Sequence, residues 1–140
     1  MKETKVRRGC VVRSLLAMYI ISGLLLVLLA FIVSRVEKED AGKGVTKEKD
    51  YRDVDGLITN VPGLILGTFY ADCVPLLFVD PVHHAIGCSH SGWRGTVGEM
   101  GKKTVEAMRE AYGSLPEDIF AAIGPSICQD CYEVGKDVAE

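Results

Sequence analysis

AIGCSHSGWRGTVGEMGKKTVEAMREAY, residues 85–112, changes its periodicity part-way along. Residues 85–89 form a short run without charge, which suits a strand covered on both faces. From residue 97 the spacing becomes helical. Val97, Gly101, Thr104, Val105, Met108 and Ala111 share one stripe, with Lys102, Lys103, Glu106, Arg109 and Glu110 mostly opposite. Gly113 supplies a stop, and Pro116 prevents continuation soon after. Residues 119–123 then read as another strand. Strand, helix and strand in such short order predict an α/β layer architecture.

Working toward the amino terminus, residues 75–79 read as a buried strand joined to 85–89 by the turn Asp80-Pro81-Val82-His83-His84. His83 and His84 are expected to be solvated there. Residues 57–59 and 64–68 read as strands flanking an Asn60-Val61-Pro62-Gly63 turn. Residues 35–53, RVEKEDAGKGVTKEKDYRD, read as a charged, solvated linker at the start of the domain. Residues 14–34, SLLAMYIISGLLLVLLAFIVS, carry no charge and match the roughly 20 apolar residues of a membrane-crossing helix. The expected organisation is therefore a basic tail (1–13), a transmembrane helix (14–34), the linker (35–53) and an α/β domain (54–140). Lysines and arginines flank the apolar run on both sides, so the positive-inside rule assigns no orientation.

Composition narrows the function classes. The 140 residues are 48% hydrophobic and 25% charged, ordinary for a folded domain. A formal net charge of -3 without a basic run argues against nucleic acid as a partner. Cys10, Cys73, Cys88, Cys128 and Cys131 are odd in number and irregular in spacing, which favours free thiols in a reducing compartment over a disulfide framework.

The chemistry-bearing residues cluster in two places. Ala71-Asp72-Cys73 places a thiol, and Ser89-His90-Ser91 an imidazole, at the probable ends of buried strands. A thiolate and a neutral imidazole suit zinc. Histidine between two serines and before a glycine-rich turn is poor core filler. Arg94, in Gly92-Trp93-Arg94-Gly95, adds a fixed cation for a phosphate or carboxylate, with a surface ion pair as the alternative. Trp93 reads as packing. Asp72 is either a ligand-orienting group or a turn residue. Cys128-x-x-Cys131 is a single pair and weak evidence for metal or redox chemistry, and Glu133 is a conceivable general base.

DVDGLIT, ADCVP, SHSGWRGTV, and IGPSI with CYEVG, in that order, closely resemble the YfiH family, also called the laccase-domain or polyphenol-oxidase-like family. The resemblance runs from about residue 36 to the end. It implies a partial YfiH-like layered sheet-and-helix domain, a cytosolic setting, and zinc held by two histidines and one cysteine. It also implies phosphorolysis of purine nucleosides (adenosine, inosine, guanosine, methylthioadenosine) and adenosine deamination, with nucleoside and phosphate as partners. The family's metal cysteine maps onto Cys73, its second metal histidine onto His90 and its motif arginine onto Arg94. These three are the expected catalytic residues, and Cys73 and His90 the expected metal ligands.

Two departures accompany the match. The place of the family's first metal histidine is occupied by the apolar run near residues 27–30, and no histidine precedes His83. The family also continues well beyond the Tyr-Glu-Val-Gly motif, so the chain is expected to be truncated at both ends. A non-catalytic, membrane-anchored fragment is the alternative reading. Copper-dependent phenol oxidation, suggested by the family's older laccase name, fits less well: three histidines are few for a multicopper site.

Overall fold

The computed structural model describes residues 32–139. Five strands, β1 (Ile32–Arg35), β2 (Val54–Thr59), β3 (Val74–Asp80), β4 (Ala85–Ser91) and β5 (Phe120–Ile123), form one sheet in the order β1-β2-β4-β3-β5. β1 lies parallel to β2, and every other pairing is antiparallel. Two helices follow β4: α1 (Trp93–Val97) and α2 (Met100–Tyr112). A short α3 (Lys136–Ala139) closes the described chain. The α/β reading holds, as a mixed sheet with helices.

α2 packs on one face of this sheet. Its inward residues are Met100, Thr104 and Met108, all buried, and Met108 joins Ile58, Phe78 and Ala85 in the core. Close approach requires strands without side chains beneath the helix. At Gly87 a Cβ would meet Ile58 Cγ2 at 3.2 Å and Met108 Sδ at 3.3 Å. At Gly56 it would meet Met100 Cε at 3.0 Å. The Thr104 hydroxyl, fully buried, donates to the Met100 carbonyl and lies within hydrogen-bond distance of Ser89 Oγ, both at 2.9 Å, so no polar group is stranded at the contact.

Several expectations are corrected. The helix does not begin at residue 97: Glu99 takes a left-handed conformation (φ 56°), breaking the segment into α1 and α2. Val97 is consequently exposed rather than part of the buried stripe. Among the described residues the strands are not covered on both faces. Leu77, Val79 and Ile86 point away from α2, opposite Cys88 and each other in the β3–β4 register, and all three are exposed. Phe120, paired with Val79, extends this open face. Residues 64–68 are not a strand despite their composition. The linker is partly structured: the Val36 amide donates to the Ile58 carbonyl, and Lys43 Nζ bridges Asp40 and Asp50 at 2.8 Å each.

The predicted membrane helix overlaps the sheet. Ile32, Val33 and Ser34 belong to β1, in register with Val54, Gly56 and Leu57, so these three residues are strand. Residues 14–31 of that prediction lie outside the described residues, as does the basic tail. Among the described residues no helix is long and apolar enough to cross a membrane.

The β3–β4 turn is fixed by a buried carboxylate. Asp80 accepts the Val82 and His83 amides at 2.8 and 3.0 Å, and its Oδ2 lies 2.8 Å from His83 Nδ1. His83 is thus a partner of Asp80 rather than simply solvated. Burial alone would raise the Asp80 carboxyl, but hydrogen bonding by Ser114, His83 and Val82 outweighs it and holds the pKa at about 2.

Two stability predictions follow from this packing. Gly87→Ala should lower the unfolding free energy by about 1–3 kcal/mol through overpacking against Met108 and Ile58, read as a lower urea midpoint at unchanged slope. The depressed Asp80 pKa means that its stabilising contribution is complete above the ordinary aspartate value of about 4 and is lost as pH falls toward about 2. Wild type should therefore lose stability more steeply than Asp80→Asn across that window in urea titrations, and identical slopes would contradict the assignment.

Candidate active site

β3 and β4 run antiparallel with Val74 opposite Ser91 and Pro75 opposite His90. Cys73, immediately before β3, therefore reaches the same end of the hairpin as His90. Side chains alternate along a strand, so Cys73 shares a face with Pro75, and Pro75 shares one with His90. This is the open face, away from α2. Both side chains converge on Gly92: the point a Cβ would occupy there lies 3.2 Å from Cys73 Sγ, 3.5 Å from His90 Cε1 and 3.6 Å from His90 Nε2. The juxtaposition expected from sequence is present, but its cause differs. Cys73 is positioned by β3, not by the 64–68 segment.

Asp55 was not expected. Its Oδ1 lies 3.5 Å from His90 Nδ1, on the neighbouring strand β2. Through Nδ1 the carboxylate can orient the ring, leaving Nε2, the nitrogen nearer Gly92, as the ligating atom. The available signal was an acid inside an otherwise apolar strand, Val54-Asp55-Gly56-Leu57-Ile58. Tyr70 completes the surroundings of His90, with ring centroids 6.0 Å apart and its hydroxyl donating to the Ser89 carbonyl at 3.2 Å. A cleft of about 350 Å³ opens here, with Lys49, Tyr51, Asp55, Phe69, Tyr70 and His90 among its lining.

The turn after His90 is held by short contacts. Thr96 Oγ1 donates to the Gly92 carbonyl at 3.0 Å and lies 3.0 Å from Ser91 Oγ. Gly95 is buried where a Cβ would stand 3.2 Å from the His90 carbonyl. Arg94, on α1, is exposed, with its guanidinium carbon 4.9 Å from the centre of the Trp93 ring. Trp93 is thus half-exposed and a stacking surface for Arg94 rather than core packing. No described contact joins Arg94 to Cys73 or His90.

The remaining candidates fall elsewhere. His83 and His84 sit at the opposite end of the β3–β4 hairpin from His90, beyond reach of its ring. Asp72 and Glu133 are exposed and bonded through their backbones, Asp72 by its carbonyl to Ile127 and Glu133 by its amide to Cys131. Cys88 lies in the core, where burial pushes its thiol up despite hydrogen bonding with Thr68 and Leu57. Among the described residues, no group of three or more His, Cys, Asp or Glu side chains is placed to hold a metal ion. Cys73 and His90 fit a soft-to-borderline metal in chemistry and convergence, and they supply two donors.

The family model described as multi-copper polyphenol oxidoreductase laccase matches residues 30–140. The chain belongs to this family. A purine nucleoside phosphorylase of Deinococcus radiodurans is 53% identical over 85 residues, covering 61% of this chain and 33% of that protein. Adenosine deaminase RL5, from an unknown prokaryotic organism, is 47% identical over 94 residues, covering 67% of this chain and 36% of its own length. The crystal structure of the Bacillus licheniformis hypothetical protein YfiH superposes with a TM-score of 0.69 at 36% identity, covering 77% of this chain and 41% of that one. The chain thus spans between a third and a half of the length of these relatives, and the laccase-like match begins before β1.

The Gly92 geometry yields a direct test. Gly92→Ala would press a methyl group against Cys73 Sγ and His90, and Asp55→Asn would remove the carboxylate beside Nδ1. If Cys73 and His90 hold an added divalent metal such as zinc, each should weaken that binding, the latter by about 10–100-fold, with little change in urea midpoint. Competition titration against a chromophoric chelator measures the first and urea unfolding the second; unchanged affinity in both variants would contradict the site.

Proposed function

We propose that this chain carries part of the active site of a zinc-dependent purine nucleoside phosphorylase that also deaminates adenosine. The convergence of Cys73 Sγ and His90 Nε2 on Gly92 supports this reading above all. The names of the relatives supply the substrate class. Cys73 and His90 would hold the metal, which when bound supplies Lewis acidity next to the cleft. A third donor would come from outside the described residues, consistent with the longer relatives.

The chain's own residues account for the rest. Asp55 holds the His90 ring by its Nδ1 proton. Tyr51, Phe69 and Tyr70 offer aromatic faces for a purine in the cleft. Arg94, restrained over Trp93, offers a planar cation to a phosphate oxyanion. In phosphorolysis a phosphate oxygen bonds to the anomeric carbon as the glycosidic bond breaks, and the base departs with the bonding pair, taking up a proton. Positioned cations favour that charge redistribution. Deamination instead adds water at the purine C6 and releases ammonia.

A second reading is a non-catalytic member of the family, favoured by the two-donor set among the described residues. Chromatography of adenosine incubated with zinc and phosphate separates the two. The enzymatic reading expects adenine and ribose 1-phosphate, lost on Cys73→Ser or His90→Ala, with Arg94→Ala raising the KM for phosphate by about tenfold or more. Zinc binding without base release supports the non-catalytic reading, and absence of both zinc binding and turnover rejects the metal site altogether.

A further inference from the structure

The carboxy-terminal loop holds a second group of reactive atoms. Cys128 Sγ and Cys131 Sγ lie 2.9 Å apart, both residues are exposed, and both are free thiols. The residues between them form a single 3-10 turn (Gln129–Cys131), closed by the Cys131 amide donating to the Cys128 carbonyl at 3.1 Å. This loop is also fastened to the strand that carries Cys73. The Gly124 amide donates to the Pro75 carbonyl at 2.9 Å, and the Ile127 amide to the Asp72 carbonyl at 3.0 Å. Gly124 is seated so tightly on Pro75 that a Cβ would come within 2.9 Å of its ring. Cys128 therefore directly follows a residue hydrogen-bonded to the neighbour of Cys73.

We propose that Cys128 and Cys131 form a redox-active dithiol that exchanges with low-molecular-weight disulfides, and that its closure alters the Cys73 segment through the Ile127–Asp72 bond. The chemistry is thiol–disulfide exchange. One thiolate of the pair attacks one sulfur of a disulfide RSSR, forming a mixed disulfide and releasing RS⁻, which takes up a proton. The second thiolate then attacks the protein sulfur of that mixed disulfide, closing the internal disulfide and releasing the second thiol. Two protein thiols are oxidised as one RSSR is reduced to two RSH. The Cys128 thiol donates to Cys131 Sγ at 2.9 Å, and this shared proton lets the first of the two thiols ionise below its ordinary range while raising the second. Whichever thiol ionises first attacks, and its neighbour resolves. This assignment does not depend on nucleoside chemistry at the Cys73–His90 site.

The full 140-residue chain, equilibrated in buffers of varied reduced to oxidised glutathione ratio, acid-quenched, alkylated and peptide-mapped, provides the test. Cys128 and Cys131 should lose alkylation together as one two-electron transition, with core Cys88 still reduced. Cys131→Ser should trap glutathione at Cys128, and Cys128→Ser at Cys131, as mixed disulfides that cannot close. A pair that stays reduced at every ratio, or two independent one-thiol transitions in the wild type, overturns the dithiol. Iodoacetamide modification of Cys73 should differ by about threefold or more between oxidised and reduced chains. In the Cys128→Ser/Cys131→Ser double variant that rate should not respond to glutathione. A Cys73 rate indifferent to the wild-type pair overturns the coupling.

Discussion

The register of β3 on β4 is the constraint from which the rest of the site follows. With Pro75 opposite His90, a cysteine two residues before Pro75 and on its face arrives beside the imidazole. A slip of one residue would send Cys73 to the α2 face and take the thiol away from His90. The register is pinned at both ends. Asp80 gathers the turn amides at the far end, and Gly124 and Ile127 bond to Pro75 and Asp72 at the near end. Between them, Ser89 is tied to Thr104 of α2, which keeps the odd residues of β4 on the helix side.

Glycine does on each face of β4 what no other residue would allow. On the helix side Gly87 lets Met108 and Thr104 approach the strand. On the other side Gly92 leaves room where thiol and imidazole converge. The first is a packing device whose loss costs stability; the second leaves open the point that Cys73 Sγ and the His90 ring both approach. Equivalent local chemistry thus serves two ends, and only the neighbouring side chains distinguish them.

Much of this was legible from periodicity. α2, β3, β4 and β5 announced themselves by period or by runs bounded with turn residues, and Cys73, His90 and Arg94 stood out by residue type beside glycines. What failed did so for physical reasons. Ile32, Val33 and Ser34 continue an apolar run, so hydropathy merged β1 with the segment before it, although pairing with β2 defines these residues. Residues 64–68 are apolar enough for a strand but find no strand to pair with. The helix break depends on the left-handed Glu99, a conformation that glutamate composition does not advertise. Asp55 showed in the sequence only as an acid within an apolar strand, because its contact with His90 forms across the β2–β4 pairing.

The open sheet face joins these observations. Cys73, His90 and Asp55 lie on the same side as exposed Leu77, Val79, Ile86 and Phe120. Among the described residues this leaves an apolar surface in water beside the Cys73–His90 pair. A further layer of polypeptide over the face would bury that surface. Covering the face would also exclude water from the Cys73–His90 pair, which strengthens charge interactions there. Packing and chemistry on this face are therefore linked, since a layer that buries Leu77 and Val79 would lie beside Cys73 and His90.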